Sequence, residues 1–265
     1  MTDTYVVFDI GGTNTRIATA TKDALGEIKK VPTLQNPDEG LKVIHDFALE
    51  LAGEAQITAV AGCVAGNITE EGVIDDARNL RSWEGTNIVQ KVSDMFGIPA
   101  TIANDAGVVG LGEAFVGAGK GASALVYVTV STGVGGARIV DGNIDAAGGV
   151  GWIKVNGTDL ESQISGTAIK KKFDIHPKDL DSLEERNKLA DILAEGLAIL
   201  IEKWTPDTIV LGGSMIVGVN PIPMDRTLES LSKTVAQEKM PTLKMATLGD
   251  SGGLEGARIL ASRAS

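Results

Sequence analysis

Apolar runs separated by glycine turns set the frame of this chain. YVVFDI, residues 5–10, and TRIATA, residues 15–20, flank Gly11-Gly12-Thr13-Asn14, the pattern of a β-hairpin. From Gly40 to Leu51, residues Leu41, Ile44, Phe47, Ala48 and Leu51 recur at helical spacing, which predicts an amphipathic helix. ITAVAGCV, 57–64, is almost wholly apolar and stops at Ala65-Gly66-Asn67, as a buried strand does. A polar stretch containing Gly72 leads to a second helix around 85–96, then to a strand over 98–103 that stops at Asn104-Asp105. Ala106 to Val116 again has helical spacing. In the second half, 123–142 reads strand, glycine turn, strand, and 141–159 reads as a loop. Helices follow around 160–173 and 182–203, then a strand entering a glycine-serine turn over 207–215 and a closing helix over 253–261.

The two halves share a signature. FDIGGTNTRIA near the start and VTVSTGVGGARIV about 120 residues later both run from an apolar strand through hydroxyls and glycines into a strand holding one arginine. Such self-similarity predicts a duplicated α/β unit. No long Pro- or Ser-rich linker lies between the halves, so contiguous domains flanking a cleft are expected. The boundary is placed between residues 106 and 107, giving an N-terminal domain over 1–106 and a C-terminal domain over 107–265, with the closing helix a candidate to complete the first.

Composition narrows the classes. With 265 residues, 43% apolar residues and a mean hydropathy of +0.10, the chain can bury two cores. No apolar run approaches the roughly 18–20 residues of a membrane span, and the N-terminus has no basic, signal-like region. Cytoplasmic residence and no membrane partner are the expectations. A single cysteine, Cys63, excludes an internal disulfide and a cysteine-cluster zinc site, and two histidines leave little for a histidine-based metal centre. A net charge of −11 argues against nucleic acid as a partner. A small anion is different, because local backbone amides hold it whatever the overall field. The 33 glycines fall in clusters, which makes them positional.

Asp9-Ile10-Gly11-Gly12-Thr13 reads in two ways. Glycines serve any hairpin turn, but a plain hairpin needs neither the aspartate at the strand end nor the Thr13-Asn14-Thr15-Arg16 that follows. In the second reading it is a phosphate loop: unobstructed amides approach phosphate oxygens, Thr13 and Asn14 donate hydrogen bonds, Asp9 holds hydrated Mg²⁺, and Arg16 pairs with phosphate or with Asp9. Ser131-Thr132-Gly133-Val134-Gly135-Gly136 is a second such loop and Gly212-Gly213-Ser214 a third, each after an apolar strand. None matches the Walker pattern. The dinucleotide pattern is poorly met as well, since the chain returns from Gly11 as a strand rather than a helix. Asn104-Asp105 at a strand end would cap the next helix, and a carboxylate at that lip also suits a general base. By position alone Glu161 is a first-turn helix acid, Asn79 a turn residue, and Cys63 a core residue.

Taken together, DIGGTNTR, ITAVAGCVAG, NLRSW, IPATIANDA, VTVSTGVGG, LESQISGTAI, VLGGSM and GLEGARILA resemble, in order and spacing, the ROK (repressor, open reading frame, kinase) family of sugar kinases over essentially the whole chain. The resemblance implies an α/β fold of the actin-like ATPase superfamily, with two ribonuclease-H-like domains around a hinged cleft. It further implies a glucokinase-like, ATP-dependent kinase acting on a hydroxyl of a small-molecule sugar, with Mg²⁺ as cofactor and a homodimer as assembly. Asp105 would be the catalytic base, and Asn104, Asn79, Glu161 and the turn at Gly66 would hold sugar hydroxyls. Asp9, Gly11, Gly12, Thr13, Asn14, Arg16, Thr132 and Gly133 would serve the phosphates, with Gly212, Gly213 and Ser214 beside the adenosine.

The chain departs from the family pattern after the second hairpin. Where such sugar kinases show Glu-x-Gly-His, AAGGVGWIKV places Gly149 and Trp152, and no cysteine-rich zinc motif follows. Each lost hydrogen bond to a substrate hydroxyl costs about 1–3 kcal/mol. The resemblance therefore leaves three readings: a hexose kinase, a kinase for another acceptor such as an amino sugar or non-sugar polyol, and a catalytically weak nucleotide- or sugar-binding protein.

Overall fold

In the computed structural model, which describes residues 3–264, β1 (Thr4–Ile10) is buried along nearly its whole length. Tyr5, Val6, Val7 and Phe8 are each at most 2% exposed, so both faces of this strand are covered. It pairs antiparallel with β2 (Asn14–Ala20), which pairs with β3 (Leu25–Pro32). Helix α1 (Pro37–Ala52) starts where the Asn36 side chain accepts from the amides of Asp38 and Glu39, and it turns Gly40, Leu41, Ile44 and Ala48 inward. β4 (Ile57–Val64) then lies parallel to β1. After the short ribbon of β5 (Asn67–Ile68) and β6 (Ile74–Asp75) and helix α2 (Ile88–Phe96), β7 (Ala100–Asn104) joins β4 in parallel and leads directly into α3 (Asp105–Phe115). The strand order is β3-β2-β1-β4-β7.

The second sheet repeats this plan. β8 (Ala124–Val130), β9 (Val134–Val140) and β10 (Asn143–Ala147) form an antiparallel meander. The ribbon of β11 (Lys154–Val155) and β12 (Thr158–Asp159) precedes helices α4 (Glu161–Ile164), α5 (Gly166–Phe173) and α6 (Leu183–Trp204). β13 (Thr208–Gly212) pairs parallel with β8. Helices α7 (Ser214–Val217) and α8 (Met224–Thr234) then lead to β14 (Thr242–Met245), which lies parallel to β13. The order β10-β9-β8-β13-β14 matches the first sheet strand for strand. Both sheets have the strand order and directions of a ribonuclease-H-like sheet, as expected for this α/β fold.

The chain divides into two units: residues up to Gly112 together with those from Asp250 onward, and Glu113–Gly249. Helix α9 (Gly252–Ala264) belongs to the first unit and packs across β1 and β4. It lies so close to α3 that a side chain at Gly256 has no room against the Val108 carbonyl. Among the described residues, no helix is long and apolar enough to cross a membrane.

The predicted hairpins and most helices stand where the apolar periodicity placed them. The segment read as a loop over 141–159 instead contributes β10, the third strand of its sheet. Edge strands β3 and β14 had no counterpart in that reading.

Candidate active site

In the first unit, Asp9 and Arg16 face each other because the hairpin register pairs them. Arg16 Nη1 lies 3.5 Å from Asp9 Oδ2, and each side chain is only 15% exposed. From the neighbouring strand Cys63, in register with Asp9, donates its S–H to Asp9 Oδ1 at 3.4 Å. Burial pushes the Asp9 carboxyl above its ordinary value, while Arg16 and the thiol pull it down. Burial also pushes the Cys63 thiol well up, so it stays a neutral donor.

The glycine turn is pinned on both sides. Gly11 donates its amide to the Asn14 carbonyl at 3.0 Å, and Thr33 Oγ1 donates to the Gly11 carbonyl at 2.7 Å. A Cβ at Gly12 would stand 2.6 Å from the Asn79 carbonyl oxygen, so only glycine lets the Asn79 loop close over this turn.

Asn104 and Asp105 sit where β7 becomes α3. Asn104 Oδ1 accepts the Gly107 amide at 3.2 Å, the predicted capping role. Its Nδ2 reaches the Gly66 carbonyl at 3.0 Å and Asp105 Oδ1 at 3.1 Å. Asp105 Oδ1 also accepts the Ala106 amide at 2.8 Å. Burial, and secondarily the charge of Asp9, raise the Asp105 carboxyl to about 6. Asp9, the Gly11–Asn14 turn, Arg16, Gly66, Asn79, Asn104 and Asp105 are thus brought together at the carboxyl ends of β1, β4 and β7, the end of an open α/β sheet where ligands bind.

The second unit builds the corresponding corner of its own sheet. Ser131, Thr132 and Gly133 join β8 to β9, while Gly212 ends β13 and Gly213 and Ser214 lead into α7. The two turns touch through the hydroxyls of Ser131 and Ser214, 3.1 Å apart. The start of α5 braces the first turn, with Gly166 and Thr167 donating their amides to the carbonyls of Ser131 and Thr132. Glu161 opens α4 with Oε2 accepting the Val134 amide at 2.9 Å. It therefore lies against the second glycine hairpin.

The ROK family model matches residues 5–264. The chain belongs to the ROK family. A fructokinase of Zymomonas mobilis is 28% identical over 97% of this chain and 96% of its own. Among solved structures, a ROK hexokinase from Thermus thermophilus superposes with a TM-score of 0.86 at 23% identity, covering 98% of each chain. A ROK family glucokinase from Streptomyces griseus in complex with glucose and AMPPNP gives 0.80 at 22% identity, covering 98% of this chain and 99% of its own.

This ROK chain has Gly149 in left-handed backbone at φ +73°. Trp152, 44% exposed, ends the 3₁₀ turn of Val150–Trp152. Three contributors escaped the sequence reading. Cys63 is a core residue, as expected, yet its thiol also faces Asp9. Thr33 lies in a stretch to which no motif was assigned. Asp250 lies 2.9 Å from Arg16 Nη2 and 3.1 Å from Lys30 Nζ, both through Oδ2. No local spacing links position 250 to position 16. The only signal was the glycine pair Gly252-Gly253 that follows: a Cβ at Gly253 would stand 2.8 Å from Asp9 Cγ, so the start of α9 rests on that carboxylate.

A magnesium ion fits this corner. Among the described residues no cluster of three or more His, Cys, Asp or Glu is placed to enclose a metal. Mg²⁺, however, is commonly held by one or two carboxylates, its own waters and substrate phosphates. Asp9, buried and incompletely neutralised, beside a glycine turn without side-chain obstruction, offers that kind of partial site.

Proposed function

We propose that this ROK protein is an ATP-dependent sugar kinase, transferring the γ-phosphoryl group to a hydroxyl of a hexose or hexose derivative with Asp105 as general base. The observation that carries the reading is Asp105 itself. It is a half-buried carboxylate at the strand lip, fixed through Oδ1 and raised to about 6. At neutral pH it is ionised, and its raised affinity for a proton makes it a better base than an exposed aspartate. The fructokinase and glucokinase names of its relatives support the reaction class.

The residues divide the work as follows. Asn104, Asn79, the Gly66 carbonyl and Glu161 hold sugar hydroxyls. The amides of the Gly11–Asn14 turn with Arg16, and those of Thr132 and Gly133, receive phosphate oxygens. Gly212, Gly213 and Ser214 accommodate the adenosine. Asp9 would hold Mg²⁺, which when bound would supply neutralisation of phosphate charge. Asp105 takes the proton of the attacking hydroxyl as its oxygen bonds to the γ-phosphorus, the bond from that phosphorus to the β,γ-bridging oxygen breaks, and ADP leaves. The transition state of such a transfer is loose, so positioning and charge neutralisation supply most of the acceleration.

The exposed indole of Trp152, three residues after Gly149, favours a second reading for the acceptor: an amino sugar or non-sugar polyol that an aromatic face contacts without hydrogen bonding. One experiment addresses both readings. Coupled ADP release with MgATP is measured across hexoses, N-acyl hexosamines and polyols, for the wild type and Asp105→Asn. An acceptor-dependent signal that falls by roughly 10²–10⁴ in the variant, with ATP binding retained, is the expected result. Normal turnover by the variant removes the base assignment. Silence across the panel while ATP still raises the melting temperature makes the protein a binding module.

A further inference from the structure

We infer that Asp250 is a positioning residue for the Asp9 corner, drawing the Arg16 guanidinium away from Asp9 so that the carboxylate stays available to a divalent cation. The inference rests on the kinase reading above, in which Asp9 faces Mg²⁺.

Register alone would give Asp9 to Arg16, because the hairpin sets them opposite each other. The distances show a different allocation. Arg16 Nη2 is 2.9 Å from Asp250 Oδ2, a hydrogen-bonded ion pair, whereas Nη1 is 3.5 Å from Asp9 Oδ2. Asp250 is itself placed by the fold: it precedes α9, whose Gly253 rests on Asp9. Lys30, on the strand beside β2, shares the same Asp250 oxygen at 3.1 Å.

The electrostatics agree with this geometry. The Asp250 carboxyl is held below its ordinary value, first by its bond to Arg16 and then by Lys30. A bidentate guanidinium on Asp9 would neutralise it and fill the space a hydrated cation needs. With Asp250 in place, the arginine is anchored beside Asp9 and still free to contact phosphate, and the Asp9 carboxylate is not closed off by a tight guanidinium pair.

The test is Mn²⁺ binding in the presence of ATP, read by electron paramagnetic resonance, alongside calorimetric binding of metal-free ATP. The wild type, Asp250→Asn, Lys30→Met and Asp9→Asn are compared, each checked by circular dichroism. Asp250→Asn, which keeps the shape and removes the charge, is expected to weaken Mn²⁺ binding to the ATP complex roughly tenfold. Metal-free ATP affinity should hold or improve, because a negative charge near the phosphates is removed. Lys30→Met leaves Asp250 wholly to Arg16 and removes a nearby positive charge, so Mn²⁺ binding should stay the same or tighten. Mn²⁺ affinity within twofold of wild type in Asp250→Asn overturns the inference. Equal weakening by Asp250→Asn and Lys30→Met does so too, because it marks a merely structural role. Failure of the parent reading looks different: Mn²⁺ binding that Asp9→Asn leaves untouched removes Asp9 from the metal site, and this inference with it.

Discussion

Asp105 costs the folded protein stability, and that cost has a definite pH dependence. Its carboxyl titrates at about 6 in the native chain against 3.8 for the ordinary group. Between those values the native state holds a proton that the unfolded state has released, so stability falls as pH rises through the window and the full cost stands above pH 6. At 1.36 kcal/mol per unit, the ceiling is about 3 kcal/mol. Asp105→Asn keeps an acceptor for Asn104 and Ala106 and removes the charge. It is expected to be more stable than wild type at pH 7 by roughly 1–3 kcal/mol, with the gain vanishing toward pH 4 in urea titrations at the two pH values. In the active enzyme the same group should make kcat/KM fall about tenfold per pH unit below about pH 6. A variant no more stable than wild type at pH 7, or a rate profile flat down to pH 5, would show that Asp105 is not the half-buried, raised carboxylate described. At this scale the site was legible wherever its members are neighbours in sequence, as Asp9 to Arg16 and Asn104-Asp105 are. Asp250 was not, because an ion pair spanning more than two hundred positions leaves no periodicity to find. Cys63 was read as core because its apolar surroundings are real; only the pairing of β1 with β4 reveals what its thiol faces.

Among the elements, α9 is where close packing is least forgiving. Gly256 lies against backbone, the carbonyl of Val108 in α3, rather than against a side chain that can swing aside. Gly256→Ala should therefore cost about 1–3 kcal/mol through overpacking, although alanine is by itself the better helix former. A denaturation midpoint equal to wild type would mean the two helices separate freely. Three of the strands the sequence concealed, β3, β10 and β14, lie at edges of the two five-stranded sheets. β3 carries Glu27, Lys29 and Lys30 and ends in Pro32, β10 is five residues with a register shift, and β14 is four residues, mostly exposed. Edge strands are kept short and charged to discourage pairing with other chains, and that same chemistry removes the apolar alternation by which strands are recognised. The interior strands β1, β4, β8 and β13, buried on both faces, announced themselves as apolar runs.

On the scale of the molecule, the duplication was visible in the two glycine hairpins, and the matching strand order of the sheets bears it out. Which unit owns the end of the chain depended on long-range packing. α9 covers β1 and β4, the buried middle of the first sheet. Ending the chain at Gly249 should thus strip the first unit of protection while sparing the second. Hydrogen exchange should show amides of β1 and β4 exchanging freely and those of β8 and β13 still protected. Protection of β1 unchanged by the truncation would mean that the first sheet holds without its last helix. The same division sets an order of manufacture. A ribosome completes Glu113–Gly249 as one uninterrupted stretch, whereas the first unit, begun earlier, waits for the final helix to emerge. The corner holding Asp9 and Asp105 is begun before the second unit and completed after it, so a chain released before α9 lacks the helix that rests on Asp9.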